Sequence, residues 1–165
     1  MVDIRRTHYA DQLNESLVGK SVRIAGWVED LRELGSIVFL TIRDASGGAQ
    51  VIANPEQILV SKENKVTRQS VVAISGTVQK SKAKAFPVEI KASEITFLTI
   101  AQHPLPVDPT GRVGASIDVR LDARALDLRN PKVSSLFKIR HEALQSVRKT
   151  LIDNKFIEVN TPKII

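Results

Sequence analysis

The chain has 165 residues, of which 42% are apolar and 25% charged, a balance that is typical of globular proteins and excludes general disorder. It contains no cysteine, which excludes disulfides and cysteine-based metal sites, and its three histidines are too scattered for us to expect zinc. The net charge of +6 favours a polyanionic partner such as nucleic acid, although solubility alone explains such a charge equally well.

Hydropathy gives no indication of a membrane protein or a secreted one. No run approaches the roughly 18 consecutive apolar residues of a membrane-spanning helix, and no apolar segment follows the N-terminal residues 1–6. We therefore expect a protein of the cytoplasm.

The first hundred residues alternate between apolar and polar side chains, which is the period-two pattern of β-strands. Turn signals at Gly35-Ser36 and at Asp44–Gly48 separate the first three of these runs, and residues 55–67 predict a short helix or loop. The predicted strands are 22–29, 38–43, 50–53, 71–78 and a fifth in two parts, 88–92 and 95–100. Five short strands with a helical insertion between the third and fourth predict an OB-fold barrel over 1–100, with an SH3-like barrel as the main alternative.

A different pattern follows the predicted barrel. Five Pro and Gly residues within eleven positions predict an irregular linker over 101–117, at the start of a hinge region that we bound at 101–130. The alternating Asp and Arg residues of 118–129 predict helical salt bridges. Apolar residues then recur at helical spacing from Pro131 to Asn154, with Asn130 as the cap, and 156–159 predict a strand. The whole is therefore mainly β with some α.

The second predicted strand carries a candidate site for unpaired bases. If Val38, Leu40 and Ile42 point into the barrel, then Phe39, Thr41 and Arg43 point outward. An outward Phe beside an outward Arg is suited to stacking on a base, and OB-folds bind oligonucleotides on this face. The alternative is that a loop or the N-terminal segment covers Phe39.

Other polar residues of the predicted barrel suit RNA in the same way. Glu89 is predicted to point outward from the fifth strand, where it could accept from a base amino group, and Gln50 could pair with the edge of a uracil. The basic loop with Lys80, Lys82 and Lys84 could contact phosphates, and so could Arg43. Each of these residues could instead be an ordinary solvated side chain.

No catalytic constellation is evident in the sequence. It has no Gly-rich phosphate loop of the Walker or Rossmann type, and no Gly-x-Ser-x-Gly nucleophile motif.

Several blocks of sequence, in their order and spacing, resemble a known family. The blocks are 6–9, 25–28, 34–44, 50–52, 104–111, 120–129 and 156–165. They resemble the aspartyl-tRNA synthetases of the archaeal type: the first four match the N-terminal anticodon-binding domain, the next two the hinge, and the last the class II motif 1. The resemblance extends from Arg6 to Ile165, and it implies that 131–165 are a helix-strand fragment of the class II catalytic domain.

The family implies roles for matched positions of the barrel. Phe39 matches the aromatic residue that stacks on the central anticodon base, Gln50 the residue that reads this uracil, and Glu89 the carboxylate that recognises the first anticodon base. Arg32 matches a basic residue near the anticodon loop. Glu29 stands where relatives often carry an aromatic residue or His, a position linked to tolerance of asparagine tRNA.

The resemblance also implies a parent enzyme, an aspartate–tRNA ligase that uses ATP and Mg²⁺ to form an aspartyl-adenylate and is a homodimer. Pro162 matches the motif 1 proline of the dimer interface. The motif 2 and motif 3 arginines match nothing in these 165 residues, so we expect the chain alone to bind tRNA without aminoacylating it. The alternatives are a free-standing OB-fold RNA-binding protein, an asparaginyl-type relative and, more distantly, a DNA-binding OB protein.

Overall fold

The computed structural model describes residues 5–61, 64–83 and 85–163. The chain forms two compact units, with the boundary between His103 and Pro104. Neither of these units contains, among the described residues, a helix long and apolar enough to cross a bilayer.

The first unit is a closed barrel of five strands, which confirms the predicted OB-fold. The strands are β1 (Ser21–Leu34), β2 (Ile37–Arg43), β3 (Gly48–Ala53), β4 (Val71–Lys80) and β5 (Val88–Thr99). Their order around the barrel is β1-β2-β3-β5-β4, and all pairs are antiparallel except β3 with β5. β1 extends five residues beyond the predicted strand end at Glu29, because it continues as one arm of the hairpin with β2.

Alternation of side chains builds the core of the barrel. Most inward positions of β1 to β5 are Val, Ile or Leu, the rest being Ala or Gly, and the largest of them, including Ile24, Leu40, Ile74 and Ile90, are at most 1% exposed. Short 3-10 helices at Ala10–Gln12, Glu15–Leu17 and Pro55–Ile58 connect to this barrel, and the last of them confirms the predicted insertion between β3 and β4. Ile58 of this turn is fully buried in the same core.

Two glycines allow neighbouring strands to approach closely. A Cβ atom at Gly26 would collide with the carbonyl group of Arg43, and one at Gly76 with the carbonyl group of Lys91. Gly76 also adjoins an irregularity in the β4–β5 ladder. Such glycines are typical of barrels, in which strands bend to close the sheet.

The turn between β2 and β3 is organised by Asp44. Its Oδ1 atom accepts from the backbone N–H of Ser46 at 2.8 Å and of Gly47 at 3.1 Å, and its Oδ2 atom accepts from the N–H of Ala10 at 2.9 Å. Burial alone would raise the pKa of Asp44, but these hydrogen bonds and that of the Ser46 hydroxyl outweigh it and hold the pKa below its ordinary value. One carboxylate therefore joins the N-terminal segment to the turn.

The second unit is helical where the structure describes it. It contains α1 (Ile117–Asp122), α2 (Arg124–Asp127) and α3 (Pro131–Asp153), and the predicted cap is confirmed because the Asn130 side chain accepts from the Lys132 N–H. The predicted salt bridging is confirmed for Arg120, which donates to Asp127 at 3.0 Å and 3.3 Å. This pair joins α1 to α2 and does not lie within one helix as predicted.

The strand predicted over 156–159 is absent from the described residues. The segment after α3 has no ladder hydrogen bonds, and its side chains are exposed. A strand requires a partner for its backbone groups, and no described strand of the second unit offers one.

We predict that Asp44→Asn lowers the free energy of unfolding of the barrel by about 2 kcal/mol at neutral pH, because it removes charge-assisted hydrogen bonds from a buried group. The folded-state pKa lies below the unfolded one, so this stabilisation is complete above the unfolded pKa and is lost as pH falls through the folded one. Urea titrations followed by the fluorescence of Trp27, the only tryptophan, measure the effect.

The difference between Asp44→Asn and wild type should therefore shrink as the pH is lowered from about 5 to about 2. Asp11→Asn, at an exposed carboxyl nearby, is the control and should change stability by less than about 0.5 kcal/mol. A difference for Asp44→Asn that is the same at every pH would contradict this account.

Candidate nucleic-acid interface

Outward side chains form two continuous rows across all five strands, because the ladders fix which residues lie opposite each other. The first, which we term the acidic row, is Asp30, Thr41, Gln50, Glu89 and Gln79. The second, the aromatic row, is Arg32, Phe39, Ile52, Lys91 and Thr77. Phe39, Gln50 and Glu89, which the sequence predicts as site residues, therefore lie on neighbouring strands of one outer surface.

Glu89 is the centre of the acidic row. It points outward as predicted, yet it is only 5% exposed, and so it is not a solvated strand charge. Gln50 Nε2 donates to its Oε2 atom at 2.6 Å, Gln79 Nε2 to its Oε1 atom at 2.8 Å, and the Ser81 hydroxyl to Oε2 at 3.2 Å. A buried carboxylate is tolerated only with such partners, and here three donors fix its position.

The aromatic row carries an apolar surface between two cations. Phe39 and Ile52 are half-buried and lie opposite each other, while Arg32 and Lys91 are exposed on either side. A ring with apolar surroundings and flanking positive charge is the arrangement on which single-stranded nucleic acids stack.

Arg32 lies opposite Phe39 and forms an ion pair with Asp30, in which Arg32 is the more exposed partner. Its Nε atom donates to Asp30 Oδ2 at 3.1 Å, and its side chain is 79% exposed. Arg32 therefore lies on β1 directly opposite Phe39 on β2, and its guanidinium is exposed to solvent.

Glu29 and Arg43 form a bidentate ion pair. Arg43 donates through Nε at 2.6 Å and through Nη2 at 2.9 Å to the two carboxylate oxygens of Glu29. Glu29 can turn toward Arg43 because the β1–β2 ladder shifts register between Val28 and Asp30. The charge of Arg43, predicted as a phosphate contact, is thus compensated within the protein.

The loop between β4 and β5 carries the predicted basic residues. Lys80 and Lys82 are exposed, whereas Lys84 lies outside the described residues. The loop turns back on itself, since Ser81 N–H donates to the carbonyl of Pro87, and the Phe86 ring lies within 3.8 Å of where a Cβ of Gly48 would stand. The loop therefore lies beside the start of β3, two residues before Gln50 of the acidic row.

Several residues of the two rows and their surroundings were not predicted from the sequence, among them Asp30, Gln79 and Ser81. Gln79 lies one residue beyond the predicted strand 71–78, and the sequence alone does not reveal that β4 continues to Lys80 with Gln79 opposite Glu89. The signal that could have found Gln79 is the pairing register of β4 with β5, which a single sequence does not contain.

Pro162, the residue predicted for a dimer interface, belongs to the second unit and is exposed there. The helix α3 also exposes large apolar side chains, among them Leu136, Ile139 and Val147.

Two family models match the chain in the order of the two units. Residues 22–98 match the OB-fold nucleic acid binding domain, and residues 116–165 match the class II tRNA synthetases (D, K and N). A nucleic-acid-binding OB barrel followed by class II synthetase sequence defines the chain as part of a class II aminoacyl-tRNA synthetase.

Curated relatives and solved structures narrow this class. The chain is 45% identical over 166 residues to the aspartate–tRNA(Asp/Asn) ligase of Methanothermobacter thermautotrophicus and 41% identical over 165 residues to the aspartate–tRNA(Asp) ligase of Pyrococcus horikoshii, matches that cover 99% and 97% of this chain. A putative aspartyl-tRNA synthetase from Leishmania major Friedlin matches 97% of the chain with a TM-score of 0.82 and 29% identity. An asparaginyl-tRNA synthetase from Pyrococcus horikoshii matches 94% of the chain with a TM-score of 0.79 and 26% identity.

The chain therefore belongs to the aspartyl-tRNA synthetase family, as its sequence blocks indicate. It spans 38% and 37% of the length of the two curated relatives named above, and 35% and 37% of the two solved chains.

We predict that Gln79→Leu lowers the free energy of unfolding by about 1–3 kcal/mol, because it leaves the buried Glu89 carboxylate without one of its donors. Thr77→Val is the matched control: it lies on the outward side of the same strand, two residues away, and should change stability by less than about 0.5 kcal/mol. Urea titration of both variants measures the difference, and equal stability of the two would show that the Gln79 hydrogen bond contributes nothing.

Proposed function

We propose that the barrel binds the anticodon loop of an aspartate tRNA through the acidic and aromatic rows. The observation that carries the proposal is that Phe39, Gln50 and Glu89, separated by up to fifty positions in sequence, lie on adjacent strands of one outer surface. An aromatic ring, an amide and a carboxylate at this spacing offer one stacking position and two hydrogen-bonding positions to neighbouring unpaired bases.

Phe39 stacks on the central anticodon base. Its half-buried ring is held between Ile52 and Arg32, so it offers a face to RNA without having to rearrange. The cationic side chains of Arg32 and Lys91 at the ends of this apolar surface lie where the phosphates on either side of a stacked nucleotide need charge compensation.

Gln50 reads the central base and Glu89 the first. The Gln50 amide has a second N–H and a carbonyl oxygen beyond the N–H that it donates to Glu89, and uracil presents both an acceptor and a donor on its pairing edge. Glu89 is an acceptor only, which selects a base that presents amino or imino N–H groups.

Lys80, Lys82 and Lys84 contact phosphates of the RNA. The exposure of the first two, together with the net charge of +6, supports a sequence-independent electrostatic contribution. Arg43 contributes to the same contact only through donors that its pair with Glu29 leaves available.

Glu29 modulates tRNA specificity through Arg43. A bidentate pair fixes the orientation of the Arg43 guanidinium, and Arg43 lies on β2 two residues from Thr41 of the acidic row. Relatives of this chain include ligases named for aspartate tRNA alone and ligases named for both aspartate and asparagine tRNA.

We further propose that the whole protein is a cytoplasmic, homodimeric enzyme that attaches aspartate to tRNA with ATP and Mg²⁺. The exposed Pro162 and the exposed apolar residues of α3 support a subunit or domain interface there. Among the residues that the structure describes, no group of three or more His, Cys, Asp or Glu could hold a metal ion.

We predict that Phe39→Ala weakens binding of the anticodon stem-loop of aspartate tRNA by about 5- to 150-fold, because stacking on an aromatic side chain contributes ~1–3 kcal/mol. Fluorescence anisotropy of a labelled stem-loop measures the affinity. Phe137→Ala, which removes an exposed ring of the second unit, is the matched control and should bind as wild type does. Unchanged affinity of Phe39→Ala would disprove the stacking role.

We predict that Gln50→Ala reduces the preference for a central uracil over cytosine by about 10-fold, since one well-placed polar pair contributes ~1–3 kcal/mol of discrimination. The measurement compares two stem-loops that differ only at this base. Gln102→Ala, at an exposed glutamine outside both rows, should keep the wild-type preference. If both variants discriminate equally well, Gln50 does not read the base.

A further inference from the structure

Arg68 approaches the aromatic row from the segment that precedes β4. Its Nη2 atom donates to Asp30 Oδ1 at 2.7 Å, while Arg32 Nε donates to Asp30 Oδ2 at 3.1 Å. One carboxylate thus holds two guanidinium groups side by side. Because Arg32 lies opposite Phe39, this pair of cations stands next to the proposed stacking position.

The backbone around Arg68 is fixed on two sides. Gln69 N–H donates to the carbonyl of Val28 at 2.6 Å, and Val28 N–H donates to the carbonyl of Ser70 at 2.9 Å. These bonds join the segment to the middle of β1, since Val28 is the eighth residue of that fourteen-residue strand. In addition, His103 Nε2 donates to the carbonyl of Arg68 at 3.1 Å. Gln69 adopts a φ of +68°, a left-handed conformation that costs a non-glycine residue about 1–2 kcal/mol.

Stability does not explain why two arginines share Asp30. The Arg68 and Arg32 side chains are 54% and 79% exposed, and exposed ion pairs contribute little to folding. Asp30 itself is only 17% exposed. Burial alone would raise the pKa of Asp30, but the hydrogen bond from Arg32 and the charge of Arg68 outweigh it and hold the pKa below its ordinary value. The cluster therefore carries one uncompensated positive charge at neutral pH.

We propose that Arg68 and Arg32 together bind one backbone phosphate of the RNA, beside the nucleotide that stacks on Phe39. The contact to Asp30 uses one N–H of each guanidinium, and each guanidinium has five, arranged in a plane that suits the oxygens of a phosphate. The net charge of the cluster matches that of one phosphodiester. Asp30 acts as a positioning residue, since it holds both guanidinium groups in place before the RNA binds.

This inference rests on the proposed function and goes beyond it, because neither the sequence blocks nor the register of the strands points to Arg68. A phosphate contact sets affinity without reading sequence. Its loss should therefore be visible in the salt dependence of binding and invisible in the choice between anticodons.

The first test measures binding of the anticodon stem-loop to the 165-residue chain at several salt concentrations. Arg68→Ala should bind about 5- to 10-fold more weakly, and the slope of log K against log salt should become shallower by about 0.7, the value for one phosphate of a single strand. The preference for a central uracil should not change. Arg68→Lys keeps the charge and should keep the wild-type slope.

Arg140→Ala is the matched control, since it removes the same charge from an exposed position on α3. Its affinity and slope should equal those of wild type. An equal loss in both variants would overturn the inference, because it would show an effect of net charge and not of a local contact.

The second test remains decisive if Arg68→Ala also lowers stability. Single neutral methylphosphonate linkages are placed in turn through the anticodon loop, and affinity is compared between wild type and Arg68→Ala. One linkage should weaken binding to wild type and leave binding to Arg68→Ala unchanged. Equal effects on both proteins at every linkage would overturn the inference, whereas absence of binding to wild type would instead refute the proposed function.

Discussion

The parallel pairing of β3 with β5 is the constraint on which the surface depends. It is the one parallel contact in the barrel, and it places Gln50 directly opposite Glu89 although 39 positions separate them. The antiparallel pairs on either side then extend this register to β2 and to β4. The pairing that closes the barrel therefore also aligns the polar residues, since a register shift of one residue would turn these side chains inward.

Charge on this surface is organised in pairs within the protein. Glu29 holds Arg43, Asp30 holds Arg32 and Arg68, and Glu33 holds Lys65 at 2.8 Å. Such pairs restrict where each cation can be without removing its remaining donors. For a surface that binds a flexible single strand, this order matters because side chains that are already in place lose less entropy on binding.

The sequence predicts the strands well and their mutual register poorly. Period-two alternation identifies which residues of β2 and β3 face outward, so Phe39 and Gln50 were found. Glu89 was also found, but its burial was not, because Gln79 and Ser81 cover it from a strand and a loop that only the closed barrel brings near. The predicted strand at 156–159 is absent among the described residues for a related reason: local pattern does not supply a pairing partner.

In the free barrel the Glu89 carboxylate is already hydrogen-bonded to protein donors, among them Gln50, and these donors compete with a bound nucleotide. Glu89 already accepts three hydrogen bonds within the protein, so a base that donates to this carboxylate must share or displace those donors and gains little from that single contact. A base that fits badly binds with a much larger loss of free energy, because it leaves a desolvated carboxylate or amide without a hydrogen-bond partner. Selectivity then arises mainly from the penalty on mismatched loops, and affinity is left to the stacking and the cations.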